Sequence, residues 1–544
     1  MHSVRPEIRV MYPLILCGFA VFLILPLGFL LIQSFTTNGG LSLENYLSIL
    51  SNQKLIESIG NSIKVSSLAA TITTILAFML AYTVHNTRVY RPIKIAIKTG
   101  VLLPMLLPTI TYGFAIMYSF GNQGIITKLF GQNLFEIYGF NGLLIGYCLY
   151  TLPPAFLLIH NSFQYVDRKF IVVSKLMGDG TVRSFMNTTI RPLLGAIGGT
   201  FVLSFILSFT DFGIPASIGG TYSVVATGLY QVMLGSIPDF QQGAAIAVFM
   251  LIPAVFGVLL LQYLDRFNFQ YDSFSDIDQF HHRGRDLFFG IFSSVILLCM
   301  LAIFIVMFVA PMVHSYPYNL HFTGNHFASV FQSSDLVNVY KNSLIVAALT
   351  AIFGTFVAYS AALLNARTTV KGKGALDVIS MLTNTVPGMV LGISYLLLFN
   401  GSNLKGTLLI IVLCTIIHYF TSPYLMAKNA LTKMNPSWET TGELLGDPWF
   451  KTVWRVILPN SIPTIFEMVS YYFIHAMVTI SGVIFLVTAE TSVVASKMKE
   501  LQHFAKFNEI FVLSILIFIT NLTVKLCCNL WQAKLSDKIQ ARRM

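Results

Sequence analysis

Long apolar runs separated by short polar breaks dominate the chain, and the alternation of a membrane β-barrel is absent. A helix needs roughly 20 mostly apolar residues to cross a bilayer. Runs of that kind predict spans over residues 12–33, 62–84, 96–119, 141–160, 194–217 and 242–263. A second set covers 287–312, 342–365, 376–399, 405–427, 461–487 and 509–530. The first run is too long for a signal-peptide core and no small-residue cleavage site follows it, so it is expected to stay as a helix. The pattern predicts an all-α polytopic membrane protein with twelve transmembrane helices.

Composition narrows the class. Of 544 residues, 55% are apolar or aromatic and only 10% charged, where a soluble chain carries about 25% charged residues. So few charges cannot cover a water-soluble globule, which excludes a cytosolic enzyme, a secreted disulfide scaffold and a disordered tail. The formal net charge is +11. Its Lys and Arg sit in short loops between apolar runs, so the positive-inside rule explains them and no nucleic-acid partner is expected. Twelve spans put both termini on one side. Arg88, Arg91, Lys94, Lys98, Arg168, Lys169, Arg283, Arg285, Arg542 and Arg543 fall on that side, so both termini are expected in the cytoplasm. Cys17, Cys148, Cys299, Cys414, Cys527 and Cys528 lie in apolar stretches without metal or redox spacing, and are read as small core hydrophobes.

The chain repeats itself. "NSIKVSSLAATITT" opens the second span and "NSLIVAALTAIFGT" the eighth, pairing Asn61-Ser62 with Asn342-Ser343. Pro108 and Gly113 recur at the same spacing as Pro387 and Gly392. "TDFGIPASIGGTYSVVAT" aligns with "TISGVIFLVTAETSVVAS", pairing Gly213 with Gly482 and Ser223-Val224-Val225 with Ser492-Val493-Val494. Six spans per repeat give both halves one orientation. The expected organisation is a first half over 1–264, a cytoplasmic linker over 265–286 and a second half over 287–544. His281-His282 in the linker has no fixed carboxylate geometry around it, so a solvated connection is expected there and no metal.

The loop after the fourth span of each half is long and amphipathic. Lys175-Leu176-Met177-Gly178-Asp179-Gly180 interrupts the first copy, and Leu444-Leu445-Gly446-Asp447-Pro448 the second. Each glycine permits a tight turn between two short surface helices. Met177, Phe185, Leu445, Trp449 and Trp454 are expected to be exposed there, on lipid or in a partner's groove.

These loops resemble the coupling loops of permeases from binding-protein-dependent ABC importers. That family's pattern is Glu-Ala-Ala, three residues, Gly, then nine to ten residues before Ile-x-Leu-Pro. Gly178, Gly446 and Leu458-Pro459 match it. Thr440-Thr441-Gly442 replaces the Glu-Ala-Ala triplet, with Glu439 one place earlier and Glu443 just after. Val172-Val173-Ser174 replaces it in the first half, and Pro192 falls one residue late. The resemblance implies the type I importer permease fold, two parallel six-helix repeats, in a bacterial plasma (inner) membrane. It further implies two copies of a cytoplasmic ATPase subunit docked on the loops and an extracytoplasmic substrate-binding protein. No Gly-x-x-x-x-Gly-Lys-Ser/Thr loop is present, so the chain is expected to bind no cofactor, to be no enzyme, and to leave ATP hydrolysis to a partner.

An acid inside a span is costly and points to function by default. Asp211, whose repeat counterpart is Ile480, either lines the route or outer gate or is an interfacial acid at a helix end. Pro215, Gly219 and Gly220 suggest a broken helix there. Glu490 near the outer end of the matching helix, with Pro108 and Pro387, completes the candidate route. His160 and His418 are read as packing or interfacial residues. The outer loops 34–61, 120–140, 218–241, 313–341 and 488–508 are where a binding protein is expected to dock. Fused permeases of this family resemble those for ferric iron, thiamine and 2-aminoethylphosphonate, and the segment around Asp211 looks most like the phosphonate type. The competing class is an ion-gradient-driven secondary transporter, which needs buried acids or basic relays near the midplane; Asp211 is the one strong candidate for these, and the paired loops would have no purpose.

Overall fold

The computed structural model describes residues 6–37, 40–167, 169–266 and 282–541. Eight of its helices are long and apolar enough to cross a membrane by themselves. Three further spans are helix pairs bent by more than 40°. Leu458–Val478, 21 residues long, stands in the second half where the Thr181–Thr210 segment stands in the first. Its Asn460, Ser461, Glu467 and His475 dilute its hydropathy, and with it the described residues reach the expected twelve.

The expected spans 96–119 and 376–399 are not straight. The first turns by 108° between Leu106 and Thr109, the second by 101° between Thr385 and Gly388. Pro108 and Pro387 cause both turns: each is extended, with ψ of 143° and 145°, and neither can donate to the preceding turn. A hydropathy window registers apolarity and not direction, so the sequence shows these as single spans. The span at 405–427 is likewise bent, by 53° between His418 and Thr421. The fifth spans also end early. Expected over 194–217 and 461–487, they stop at Thr210 and Val478, where Asp211 and Thr479 turn extended with ψ of 138° and 133°.

The second and eighth helices exceed expectation at 34 residues each, Gln53–Asn86 and Ser334–Arg367. Asn52 and Ser333 start them by accepting backbone N–H groups of the first turn. The halves are intertwined. In the first span, Phe19 packs on Phe420 at 4.5 Å, and the Phe22 carbonyl accepts the Tyr395 hydroxyl at 2.6 Å. Reciprocally, Ser293 in the seventh span hydrogen-bonds Thr83 at 2.7 Å. Each half's first span therefore lies against the other half.

Side chains such as Ile24, Leu298 and Phe356 stay exposed along these helices, as contact with lipid requires. Cys414 is buried as expected, but Cys17, Cys299 and Cys527 are exposed; a thiol is apolar enough to face lipid. Two short hairpins, Thr36–Thr37 with Gly40–Leu41 and Val313–Ser315 with Asn319–Phe322, follow the first span of each half. The helix Arg283–Val309 takes the last four residues assigned to the linker, and Asp286 pairs with Arg285 at 2.8 Å in its first turn. Residues 267–281 of the expected linker, including His281, lie outside the described residues.

Candidate functional site

The two surface loops fold into matching elbows. Lys169–Leu176, with Lys175 in its last turn, leads to Gly178 at φ +76°; Ser437–Leu444 leads to Gly446 at φ +75°. The Asp179 N–H returns to the Ser174 carbonyl at 3.0 Å, and the Asp447 N–H to Gly442 at 2.9 Å. This closure of a helix end needs a left-handed residue, which glycine supplies without steric cost. Gly180 and Pro448 are both extended and start the next helices, Thr181–Phe185 and Trp449–Thr452. Asp179 pairs with Arg183 at 3.2 Å, and Asp447 with Lys451 at the same spacing.

The late Pro192 is accommodated locally. The helix after the first elbow is one residue longer than its counterpart, and a π-turn then precedes the proline in both halves, Met186–Ile190 and Val453–Ile457. Leu176, Met177, Leu444 and Leu445 are 75–83% exposed at the corners. Trp454 is exposed as expected. Trp449 is not: at 4% exposure it is buried behind the elbow, and Phe450 faces outward in its place. Phe185 is half-buried, packed on Tyr82 at 5.9 Å. The aromatic pattern does not reveal which ring faces the protein.

Glu439 also turns inward. Its carboxylate takes both Nε and Nη2 of Arg367, the last residue of the eighth span, whose side chain is 4% exposed. Arg367 further donates to the carbonyls of Met434 at 2.8 Å and Asn435 at 3.0 Å. This pins the elbow to a membrane helix. In the first half Ile171 occupies the place of Glu439. Glu443 contributes its carbonyl to the Gly446 N–H at 3.0 Å.

Inside the membrane, the two breaks of each half stack on one another. A Cβ on Gly392 would lie 2.1 Å from the Gly482 carbonyl oxygen, and one on Gly213 would lie 2.2 Å from Thr109 Oγ1. Asp211 is 4% exposed, and its Oδ2 accepts the Ile214 N–H at 2.8 Å, capping the short helix Gly213–Ile218. Far from the elbows, at the opposite end of Gln53–Asn86, a cavity of about 1110 Å³ opens among Asn61, Tyr138, Pro215, Tyr222, Tyr230 and Lys499. Lys499, from the second half, donates to the Ala216 carbonyl at 2.7 Å and to Gln502 at 3.0 Å. Burial lowers its pKa from the ordinary lysine value.

The chain matches the family model "Binding-protein-dependent transport system inner membrane component" twice, over residues 73–270 and 352–540, which together exceed half its length. The chain belongs to that family. The permease is 26% identical over 496 residues to the ferric transport system permease protein FbpB of Actinobacillus pleuropneumoniae, covering 87% of this chain and 70% of that one. It is also 26% identical over 493 residues to a protein of Haemophilus influenzae named as a ferric transport system permease, covering 87% and 77%. Among solved structures, it is similar to a bacterial ABC transporter involved in alginate import, with TM-score 0.38, 17% identity, and 46% and 95% coverage. By its doubled family match and its full-length relatives, the permease is a fused two-half inner-membrane component of a binding-protein-dependent ABC importer. The expectation of a phosphonate substrate draws no support from these relatives.

Of the residues expected to line the permease's route, Pro108 and Pro387 make the breaks, and Pro215 lines the cavity. Asp211 caps a helix beside them. Glu490 does not join them: it is exposed on the surface, and only its carbonyl is engaged, by Asn342 at 2.9 Å. His160 packs as expected, with Nδ1 2.9 Å from His85 Nε2. His418 packs as well. It joins Tyr419, Tyr471 and His475, ring to ring, with centroids 4.5 Å apart for His418–Tyr419, 4.7 Å for Tyr419–His475 and 4.1 Å for Tyr471–His475. Tyr471 and His475 are four apart on one helix face, a spacing visible in the sequence; their meeting with His418-Tyr419 is not.

Proposed function

We propose that the chain is the membrane subunit of an ATP-driven importer of ferric iron. The observation that carries this reading is similarity to two ferric transport permeases along 87% of the chain, across both halves and both elbows. The outer cavity receives iron from an extracytoplasmic binding protein. The elbows, on the opposite, cytoplasmic side with both termini, each dock one ATPase subunit through their exposed leucines, Met177 and Phe450. Closure of the ATPase pair draws the elbows together. Because Arg367 and Glu439 tie one elbow to the eighth span, that movement reaches the breaks at Pro387 and Thr479 through rigid helices.

The test is uptake by proteoliposomes holding the permease with its ATPase subunit, supplied with loaded binding protein. ATP-dependent accumulation of radiolabelled iron, without accumulation of thiamine or 2-aminoethylphosphonate, is the expected result. Accumulation of either organic solute in place of iron overturns the substrate reading.

A further inference from the structure

The ring cluster of the second half has no part in the coupling scheme. His418 and Tyr419 sit at the 53° bend of the tenth span, and Tyr471 and His475 on the helix that ends at the Thr479 break. Each lies deep inside the protein yet keeps part of its surface accessible, so together they face an internal space and not a filled core. His418 Nδ1 is buried without a hydrogen-bond partner. A polar atom left so carries a desolvation penalty. Counted in the register that pairs Gly213 with Gly482, the first half has Leu149, Val202 and Ile206 where the second has His418, Tyr471 and His475. Tyr419 alone is matched, by Tyr150. The polar cluster is thus confined to the second half.

From this geometry we infer that His418, Tyr419, Tyr471 and His475 form a transit site that hands a ferric ion across the middle of the membrane. The inference rests on the ferric reading above. Phenol oxygens are hard donors and imidazole nitrogens suit iron. Among the described residues no three His, Cys, Asp or Glu side chains gather as a metal-holding group. Each phenol gives up its proton to water as its oxygen takes the ion and regains one as the ion leaves, so binding is reversible. Conduction requires that: an ion must enter a site and also leave it.

The experiment uses proteoliposomes holding the permease–ATPase complex, with iron-loaded binding protein supplied for uptake and ferric citrate as the probe for absorption. Tyr419→Phe, Tyr471→Phe and His475→Leu are compared with the native chain in two measurements, iron uptake and the visible ferric–phenolate absorption of the complex. Tyr→Phe keeps the ring packing, and ATPase binding by each variant confirms its fold. The inference expects uptake to fall at least about tenfold in each variant while ATP hydrolysis persists, and the absorption to weaken in the two tyrosine variants. Native iron uptake with unchanged uptake in the variants overturns the transit site and leaves the ferric reading intact. Absence of iron uptake by the native complex overturns both.

Discussion

Ser62 Oγ accepts the backbone N–H of Val225 at 2.8 Å, and in the other half Ser343 accepts that of Val494 at 2.8 Å. The neighbouring Asn61 and Asn342 donate to the carbonyls of Ser223 and Ser492 at 3.1 and 3.2 Å. The paired Asn-Ser of the sequence repeat therefore serves one purpose: it starts the helix after each broken span from a side chain on a long neighbouring one. Both serines are buried, so removing either leaves a buried N–H unpaired. Ser62→Ala and Ser343→Ala are each expected to lower stability by about 1–2 kcal/mol. Thermal unfolding of the purified chain checks this, and the two losses are expected to add, because the two serines hold different partners in different halves.

Arg367 with Glu439 gives a larger expected effect. Glu439→Ala strands a buried guanidinium, at a cost of about 3 kcal/mol or more. The double variant Arg367→Met with Glu439→Leu recovers most of the stability but not the coupling. A double-mutant cycle in stability, read beside uptake per ATP hydrolysed, separates the two.

At the elbows, a Cβ added to Gly446 or Gly178 would meet open space, so their constraint is backbone strain of about 1–2 kcal/mol alone. Gly442 differs: its Cβ would lie 2.4 Å from Thr452 Oγ1. Gly446→Glu and Gly178→Glu are expected to leave the chain inserted but to uncouple hydrolysis from uptake. Gly442→Leu is expected to prise the elbow open and to abolish ATPase binding as well. Pull-down of the ATPase by each variant distinguishes them.

The stacked breaks give a rescue test. Gly113→Ala meets the side chain of Ser217, with Oγ 1.9 Å away, whereas Gly392→Ala meets the Gly482 carbonyl oxygen at 2.1 Å. Ser217→Gly is expected to restore uptake to the first variant. The second has no such remedy, because backbone blocks it.

Much of this architecture is legible in the sequence. Apolar length exposes the spans, and matched prolines, glycines and Asn-Ser pairs expose the repeat. The turn glycines mark the elbows because left-handed backbone selects glycine. Direction is not legible: apolarity at 96–119 is the same whether the helix runs straight or turns by 108°. Nor are partnerships between distant residues, such as Arg367 with Glu439 or His475 with Tyr419, since each belongs to a different helix and local pattern carries no information about them. Trp449 defies its expected exposure for a related reason, as an amphipathic turn this short does not reveal which aromatic faces inward.

The most direct test of the account is transport by proteoliposomes supplied with loaded binding protein and holding the chain alone or with its ATPase subunit, under an imposed ion gradient or with ATP. The coupling account predicts uptake only when ATPase and ATP are both present. Gradient-driven uptake by the chain alone contradicts it.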